Sequence, residues 1–284
     1  MHRLILLMNC PDQKGIIAHV TNFIHNKKGN IVYIDQYVDR LNKTFYMRVE
    51  VEVEKSNDYF NNFTKDFNKI LGNKFKLNCE FYLKEKKPKM AVFVSKYDHC
   101  LYDILSQHKS NNLNCYIPFI ISNHLDLEVI ANRFEVPFYH IPVEKSNKEK
   151  AEEMQIKILK ENKVDFIVLA RYMQILSPKL VGLFKNKIIN IHHSFLPAFP
   201  GAKPYHSAFK RGVKIIGATS HYVTDELDGG PIIEQDTVRV SHVHGVNDFI
   251  SKGQDLERIV LIRALKLHTE RKVMIYTNKT IIFN

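Results

Sequence analysis

The stretch NIHHSFLPAFPGAKPYHSAFKRG, residues 190–212, combines the end of a strand, two imidazoles and a proline-rich loop. The residues KII just before it form a short β-favourable run, which predicts a buried strand ending near His192. Asn190 and His192 are two positions apart, so on a strand their side chains leave the same face. The prolines and the glycine between positions 197 and 204 exclude regular structure and predict a long loop.

A second β-rich run, KIIGATSHYVT, follows at residues 214–224 and ends in the acidic turn DELDGG, residues 225–230. This turn is suited to holding a carboxylate over a pocket. Upstream, the runs KMAVFVS, NCYIPFIIS, VPFYHIP and VDFIVLA alternate with helical segments. Successive strand–helix units predict a mostly parallel sheet with helices on both faces. Sites in such sheets lie outside the carboxyl ends of the strands, where Asn190 and His192 stand.

The Asn-x-His pair, with Asp228 in a later strand-end loop, resembles the folate-dependent formyltransferase family. The resemblance implies a Rossmann-like formyltransferase domain in which Asn190, His192 and Asp228 are catalytic. Taken singly, the three residues also have ordinary explanations. A strand-end asparagine is often a turn former, a lone histidine is often a satisfied structural residue, and Asp228 before two glycines is a turn signal.

The first part of the chain has a different pattern, which predicts β-α-β-β-α-β, the ferredoxin-like order. CPDQKGIIAHVTNFI followed by GNIVYIDQYVD resembles the ACT domain, a module that often binds amino acids between paired copies. This resemblance implies that Asp12 and Gly15 contact an amino-acid effector. The alternatives are that Asp12 caps a helix, that Gly15 permits close packing, and that the module serves only for assembly. The predicted division is an ACT domain at 1–84, a linker at 85–89 and the catalytic domain at 90–284.

Three features favour hydrolysis over transfer to an amine. The turn after the first strand of the second domain, Val94 to His99, lacks the glycine that a phosphate cradle needs. ARYMQILSP, residues 170–178, carries Gln174 where ribonucleotide transferases of the family commonly have arginine. An ACT domain ahead of the catalytic domain is the arrangement of the family's deformylases. The chain therefore resembles an enzyme that hydrolyses 10-formyltetrahydrofolate to formate and tetrahydrofolate, supplying formate for purine synthesis and balancing one-carbon pools.

The residue types suit this chemistry. Water attack on the formyl carbon builds negative charge on its oxygen, and the amide of Asn190 can donate to that oxygen. Asp228 is expected to orient and deprotonate water, with a pKa raised by burial. His192 is expected to stabilise the oxyanion or to protonate the departing N10. No metal or other cofactor is expected.

Further residues are expected to bind the substrate. The pterin ring should lie against the segment from Met173 to Leu176 and against the acidic turn, where apolar walls and backbone groups are available. His221 would hold the Asp228 carboxylate or a water chain, or have a structural role. His193 and Tyr205 are further candidates beside the proline-rich loop, where they could shape the water site or close over the pocket. The predicted substrate-binding set is Met173, Gln174, Ile175, Leu176, Asp225, His221, Lys203 and His206.

Composition limits the class of protein. The chain has 284 residues, 45% of them hydrophobic, which suits two modest cores. Its formal charge of +11 comes from lysines spread through nearly every segment, so nucleic-acid binding is not expected, although a positive surface attracts polyanionic folates. No apolar run is long enough for a membrane span. Four cysteines without CxxC spacing suggest neither a zinc site nor disulfides, which fits a reducing cytoplasm. The resemblance of the first domain to ACT modules implies a homo-oligomer assembled at least partly through residues 1–84.

Three rival hypotheses stay open at this point. His242 and His244 form an H-x-H pair that would suit a metallohydrolase, although metal catalysis wants three converging ligands. The chain could instead be an amino-acid sensor with a folate-binding body. Within the family, transfer of the formyl group to an unknown amine is the remaining competitor.

Overall fold

The computed structural model describes residues 2–54, 59–198 and 204–284. Contacts divide the chain into two compact units, each with its own sheet. The first unit comprises the chain up to Lys87 together with Glu270–Met274 and Ile281–Asn284, and the second comprises Pro88–Thr269 and Ile275–Thr280.

The first unit contains a four-stranded antiparallel sheet in the order β2-β3-β1-β4, which confirms the ferredoxin-like prediction. The sequence predicts one helix from about Asn57 to Leu71, whereas in the structure a π-helical turn at Asn68–Gly72 divides the described part of this segment. The elements are β1 (His2–Pro11), α1 (Ile16–Asn26), β2 (Asn30–Asp39), β3 (Thr44–Val53), α2 (Tyr59–Phe67), α3 (Asn73–Phe75) and β4 (Asn78–Leu83).

The two faces of β3 bury side chains of different kinds. Met47, Val49 and Val51 alternate along the strand and lie in the apolar core with side chains of α1 and α2. Arg48 points to the opposite face, is almost completely buried, and donates to the carbonyl oxygens of Glu270 (3.0 Å) and Arg271 (2.8 Å). This buried guanidinium ties part of the C-terminal segment to the first unit. The predicted domain boundaries near residues 84 and 90 stay predictions.

The second unit is built on a seven-stranded sheet in the order β11-β10-β9-β8-β5-β6-β7. Its five strands from β9 to β7 are parallel, and β10 and β11 add an antiparallel edge. The elements are β5 (Met90–Val94), α4 (His99–Lys109), β6 (Ile120–Ser122), α5 (Glu128–Arg133), β7 (Phe138–His140), α6 (Lys148–Glu161), β8 (Phe166–Leu169), α7 (Pro178–Leu183), β9 (Ile188–His192), α8 (Pro204–Arg211), β10 (Ile215–Tyr222), β11 (Ile232–Arg239) and α9 (Val246–Thr269).

This topology confirms the mostly parallel α/β prediction and fixes where the site lies. The chain runs from β5 outward through β6 and β7, then returns to the other side of β5 with β8 and β9. The carboxyl ends of β5, β8 and β9 therefore meet at one edge of the sheet, next to the point where the strand order reverses. Strand β11 has no counterpart in the sequence prediction.

The longest helix, α9, has 24 residues and buries Phe249, Leu256 and Val260 in the second unit. The run VMIYTNKTIIF, residues 273–283, predicts a hairpin at the end of the chain, and the structure confirms it with β12 (Val273–Tyr276) and β13 (Lys279–Ile282). Within the described ranges, no helix combines the length and the apolarity that a bilayer crossing requires.

Candidate active site

Asn190 and His221 face each other across two neighbouring strands. β9 and β10 are antiparallel, and their register pairs Asn190 with His221. The side-chain nitrogen Nδ2 of Asn190 lies 3.1 Å from Nε2 of His221. On the other side of the ring, Nδ1 of His221 lies 3.0 Å from the carbonyl oxygen of Tyr222, so Nδ1 carries a proton. In the neutral ring Nε2 then accepts from Asn190, which fixes the amide with its NH2 group towards the imidazole.

Asp228 comes to the same place through the turn after β10. This turn is anchored by backbone hydrogen bonds from Tyr222 to Pro231 (2.9 Å) and from Val223 to Ile188 (2.9 Å). Asp228 itself has a φ of 55°, a left-handed conformation that aspartate adopts more readily than most residues. Its carboxylate oxygens lie 3.3 Å from His192 Nδ1 and 3.6 Å from His221 Nε2. The three predicted catalytic residues and His221 are therefore brought together.

The charge state of Asp228 differs from the expectation. Hydrogen bonding from His192 holds the pKa of Asp228 well below its usual range, although half-burial opposes this. The expectation that burial would raise this pKa is therefore wrong, because the hydrogen bond from His192 stabilises the carboxylate more than desolvation destabilises it. At neutral pH, Asp228 is therefore ionised, accepts hydrogen bonds and is too weak a base to take a proton readily.

His192 presents one free nitrogen to the site. Its Nδ1 faces Asp228, whereas its Nε2 is buried and has no hydrogen-bond partner within the described residues. A buried imidazole nitrogen without a partner is costly in a folded protein. Such an atom is therefore a good candidate for contact with substrate or with a reacting water.

The segment after β8 lies at the adjacent strand end, since β8 and β9 are parallel neighbours that pair Leu169 with Asn190. Met173 and Ile175 are exposed by about half (48% and 62%), so both are available to a ligand. Leu176 instead packs against the core of the second unit, which gives it a structural role as well. Gln174 is partly exposed.

Ile175 and Leu176 also line a cavity of about 580 Å³ between this segment and α6. Both signs of charge surround the cavity, with Lys148 and Lys179 beside the carboxylates of α6. A ligand with an apolar body and charged ends would fit such a lining.

Two residues that the sequence prediction missed hold this segment. The hydroxyl of Ser95 donates to Asn123 Oδ1 (2.7 Å) and accepts a hydrogen bond from the backbone nitrogen of Met173 (3.0 Å). Both side chains are buried. Ser95 directly follows β5 and Asn123 directly follows β6, so a polar residue at a strand's carboxyl end was the signal available in the sequence.

The remaining predicted substrate residues are less informative. Asp225 is exposed in the turn, and His206 is exposed on α8. The described contacts do not join His206 to Asn190, His192 or Asp228. Lys203 lies outside the described residues. Their proposed contact with substrate stays a prediction.

In the first unit, Asp12 and Gly15 line one cavity of about 510 Å³, together with side chains of α1, β2 and β3. Gly15 stands at the N-cap of α1 with a φ of 89°, a conformation that side chains rarely adopt. Asp12 does not cap the helix with its side chain, so that alternative is wrong. The loop ahead of α1 therefore lines a pocket together with Gln36 and Val38 of β2.

The potential metal ligands do not include the predicted histidine pair. In the described part of the chain, one group of three donor atoms lies within 4.8 Å, formed by His99, Cys100 and Glu257. His99 Nε2 and Arg171 Nε already lie 2.9 Å and 3.4 Å from the Glu257 carboxylate. Because a guanidinium competes with a cation for this carboxylate, the group fits an ion-pair cluster better than a metal site. His244 binds Ser241 through Nδ1 instead.

Known proteins and protein families match both units of the chain. A Formyl transferase family model matches residues 88–265, and an ACT domain model matches residues 4–58. A formyltetrahydrofolate deformylase of Synechocystis sp. is 48% identical over 284 residues, covering 98% of this chain and 97% of the relative. The crystal structure of a formyltetrahydrofolate deformylase from Pseudomonas syringae has a TM-score of 0.95 and 41% identity, covering 100% of this chain and 95% of that one.

A glycinamide ribonucleotide transformylase from Symbiobacterium toebii is more distant, with a TM-score of 0.66 and 28% identity. The match covers 97% of the transformylase chain but only 72% of this chain. The deformylases thus match both units at higher identity, whereas the transformylase leaves more than a quarter of this chain unmatched. The chain belongs to the formyltetrahydrofolate deformylase family.

Proposed function

We propose that the chain hydrolyses 10-formyltetrahydrofolate to formate and tetrahydrofolate. The observation that carries the proposal is the assembly of Asn190, His192, Asp228 and His221 at the carboxyl end of β9. Relatives named formyltetrahydrofolate deformylase, similar over nearly the whole chain, support the same reaction. The formate would supply purine synthesis and help to balance one-carbon pools.

In the proposed first step, water attacks the formyl carbon and negative charge develops on the formyl oxygen. Asn190 donates an amide hydrogen to that oxygen, because His221 orients the amide with its NH2 group available. A single donor of this kind contributes about 10²–10³ in rate.

The proton of the attacking water needs an acceptor. The low pKa of Asp228 argues against the carboxylate itself, so we assign acceptance to Nε2 of His192. Asp228 accepts the Nδ1 hydrogen of His192, orients the ring and the water, and stabilises the imidazolium that forms. His192 thus takes over the base role first expected for Asp228.

The second step breaks the bond between the formyl carbon and N10. His192 returns the proton to N10 as the carbon–nitrogen bond breaks, which releases tetrahydrofolate and leaves formic acid. The acid then loses its remaining proton to solvent and leaves as formate, while His192 is again neutral. These steps invoke no metal or other cofactor. Met173, Gln174, Ile175 and Leu176, with the turn at Asp225, would hold the pterin end of the substrate.

The decisive experiment is to incubate the purified chain with 10-formyltetrahydrofolate alone and to measure formate. Release of formate at an unchanged rate with and without added glycinamide ribonucleotide is the expected result. Formylation of the added amine in place of formate release would overturn the proposal in favour of a transferase. Absence of any turnover would favour a binding protein.

We also propose that the first unit assembles the protein and binds an amino acid. β2 is an edge strand of ten residues, and it exposes Val32, Ile34 and Tyr37. An exposed, apolar edge is a template for pairing with a second copy. The cavity at Asp12 and Gly15 includes Gln36 and Val38 of that strand, so pairing at β2 would bring a second chain against the effector pocket.

A further inference from the structure

Helix α9 contains a glycine in its interior, at position 253. Glycine is the least favourable residue there after proline, because it loses the most backbone freedom on folding. The reason lies on the facing helix. A Cβ atom at position 253 would lie 2.1 Å from Cζ of Tyr205, so only glycine leaves space for this ring. The helix thus accommodates Tyr205 at the expense of its own propensity.

The hydroxyl of Tyr205 binds one turn further along α9. It donates to Oε1 of Glu257 at 2.6 Å, and Glu257 is completely buried. The other oxygen, Oε2, faces His99 Nε2 and Arg171 Nε. Burial opposes its charged form, but the hydrogen bond from His99 and the charge of Arg171 hold the pKa of Glu257 below its ordinary value. A fixed carboxylate therefore anchors the Tyr205 ring from one end, while Gly253 leaves space at its side.

From Tyr205 a series of ring contacts leads to the active site. The Tyr205 ring meets His193 edge-on, with centroids 5.9 Å apart and an interplanar angle of 64°. The rings of His193 and His192 are in turn 5.2 Å apart. All three rings are buried, so a shift of one is transmitted to the next through close packing.

We propose that Tyr205, anchored by Glu257, is a positioning residue that holds His192 in place through His193. Asp228 fixes His192 from its Nδ1 side, and this contact series supports the neighbouring ring from the side of α9. The consequence for turnover rests on the proposed hydrolysis, whereas the consequence for the His192 ring does not.

Two variants perturb the contact series without touching the reacting groups. Tyr205→Phe keeps the ring but removes its bond to Glu257, and Gly253→Ala forces a methyl group against the same ring. Gly182→Ala in α7 is the matched control, because a Cβ there meets no atom within 4 Å. Thermal unfolding checks that each variant folds, and Tyr205→Phe preserves volume should Gly253→Ala prove unstable.

The readouts are steady-state kinetics with 10-formyltetrahydrofolate and ¹H–¹⁵N NMR of the histidine rings, with His192 assigned from a His192→Gln sample. We expect both variants to lower kcat about 5- to 20-fold with KM within twofold, and to shift the His192 ring signals and their titration. The control should match the wild type. Unchanged ring signals in Tyr205→Phe overturn the proposal whatever the turnover does.

If the wild type is active, a kcat of Tyr205→Phe equal to that of the wild type also overturns the proposal. Should the wild type release no formate, the proposed function fails, and the NMR comparison still decides whether Tyr205 positions His192.

Discussion

His192 Nδ1 lies 3.3 Å from Asp228 Oδ2, and this contact joins the end of β9 to the turn that follows β10. It determines how each residue can act. The imidazole keeps Asp228 ionised, and the carboxylate accepts the Nδ1 hydrogen of His192, which leaves Nε2 for the reaction. A pair of this kind moves protons through the histidine while the carboxylate keeps its charge.

Asn190→Ala should fold normally and lose about 10²–10³ in kcat, because the amide acts on charge that exists only in the transition state. KM should change little. Formate release and thermal unfolding would be measured on the same sample. Retention of near-normal turnover would remove Asn190 from the mechanism.

Asp228→Asn should be more severe, with a loss of about 10³–10⁴ in kcat. The amide keeps the shape but removes the charge that stabilises the imidazolium and selects the tautomer of His192. Single-turnover formate release separates this chemical defect from weaker substrate binding. A loss smaller than that of Asn190→Ala would contradict the assigned order.

The partner of Asn190 could not have been found from the sequence. Strand alternation placed Asn190 and His192 on one face, and the family resemblance added Asp228. The contact between Asn190 and His221 depends on the register of β10 against β9, and a slip of one residue would turn His221 to the other face. Nothing local to either strand specifies that register.

The same limitation explains two misses in the fold. The run IIEQDTVR of β11 mixes apolar and polar residues, because an edge strand is only half buried, and its signal in the sequence is weak. The attachment of Glu270 and Arg271 to the first unit depends on Arg48, more than 200 positions away in the sequence. The sequence indicates desolvation of Asp228 from its apolar neighbourhood but does not show that the imidazole of His192 faces the carboxylate, so the predicted direction of the pKa shift is wrong.

His221→Gln should lower kcat about tenfold, since the Asn190 amide loses the acceptor that fixes its orientation. The exposed His140 on β7 provides a control, and His140→Gln should leave the rate unchanged. Kinetics of both variants, with KM recorded separately, would test this. Equal rates for the two variants would reduce His221 to a core residue.

The stability of the folded state should depend on Asp228 in acid. Its folded pKa lies below the ordinary value near 4, so its contribution is fully present above about pH 5 and is lost as the pH falls towards the folded pKa. The pH-dependent part of the difference in Tm between the wild type and Asp228→Asn should therefore shrink below about pH 4. Thermal unfolding from pH 7 to pH 3 would measure it. A difference that grows on acidification would reverse the sign of the shift.

Gly15→Ala should weaken any amino-acid response while leaving basal hydrolysis unchanged. The left-handed φ of 89° at this position is strained for alanine, so the loop ahead of α1 must move and alter the cavity that it lines. Glycine and methionine are the first amino acids to titrate against the rate of formate release. An identical response in the wild type and in Gly15→Ala would exclude this loop from the effector site.

Assembly through the edge of β2 predicts that Ile34→Lys lowers the mass of the protein in solution. A lysine on an exposed strand edge opposes pairing with another copy, since its charge would be buried against the partner strand. Ile34 is 43% exposed, and Ile70 in the same unit is 53% exposed but lies on the π-helical turn, so Ile70→Lys is the matched control. Light scattering coupled to size exclusion should show dissociation for Ile34→Lys and none for Ile70→Lys.

Deleting residues 1–84 should likewise reduce assembly and abolish any amino-acid response, while Asn190, His192 and Asp228 remain able to react. An unchanged mass for both Ile34→Lys and the truncated chain would show that the copies associate elsewhere or that the protein is a monomer.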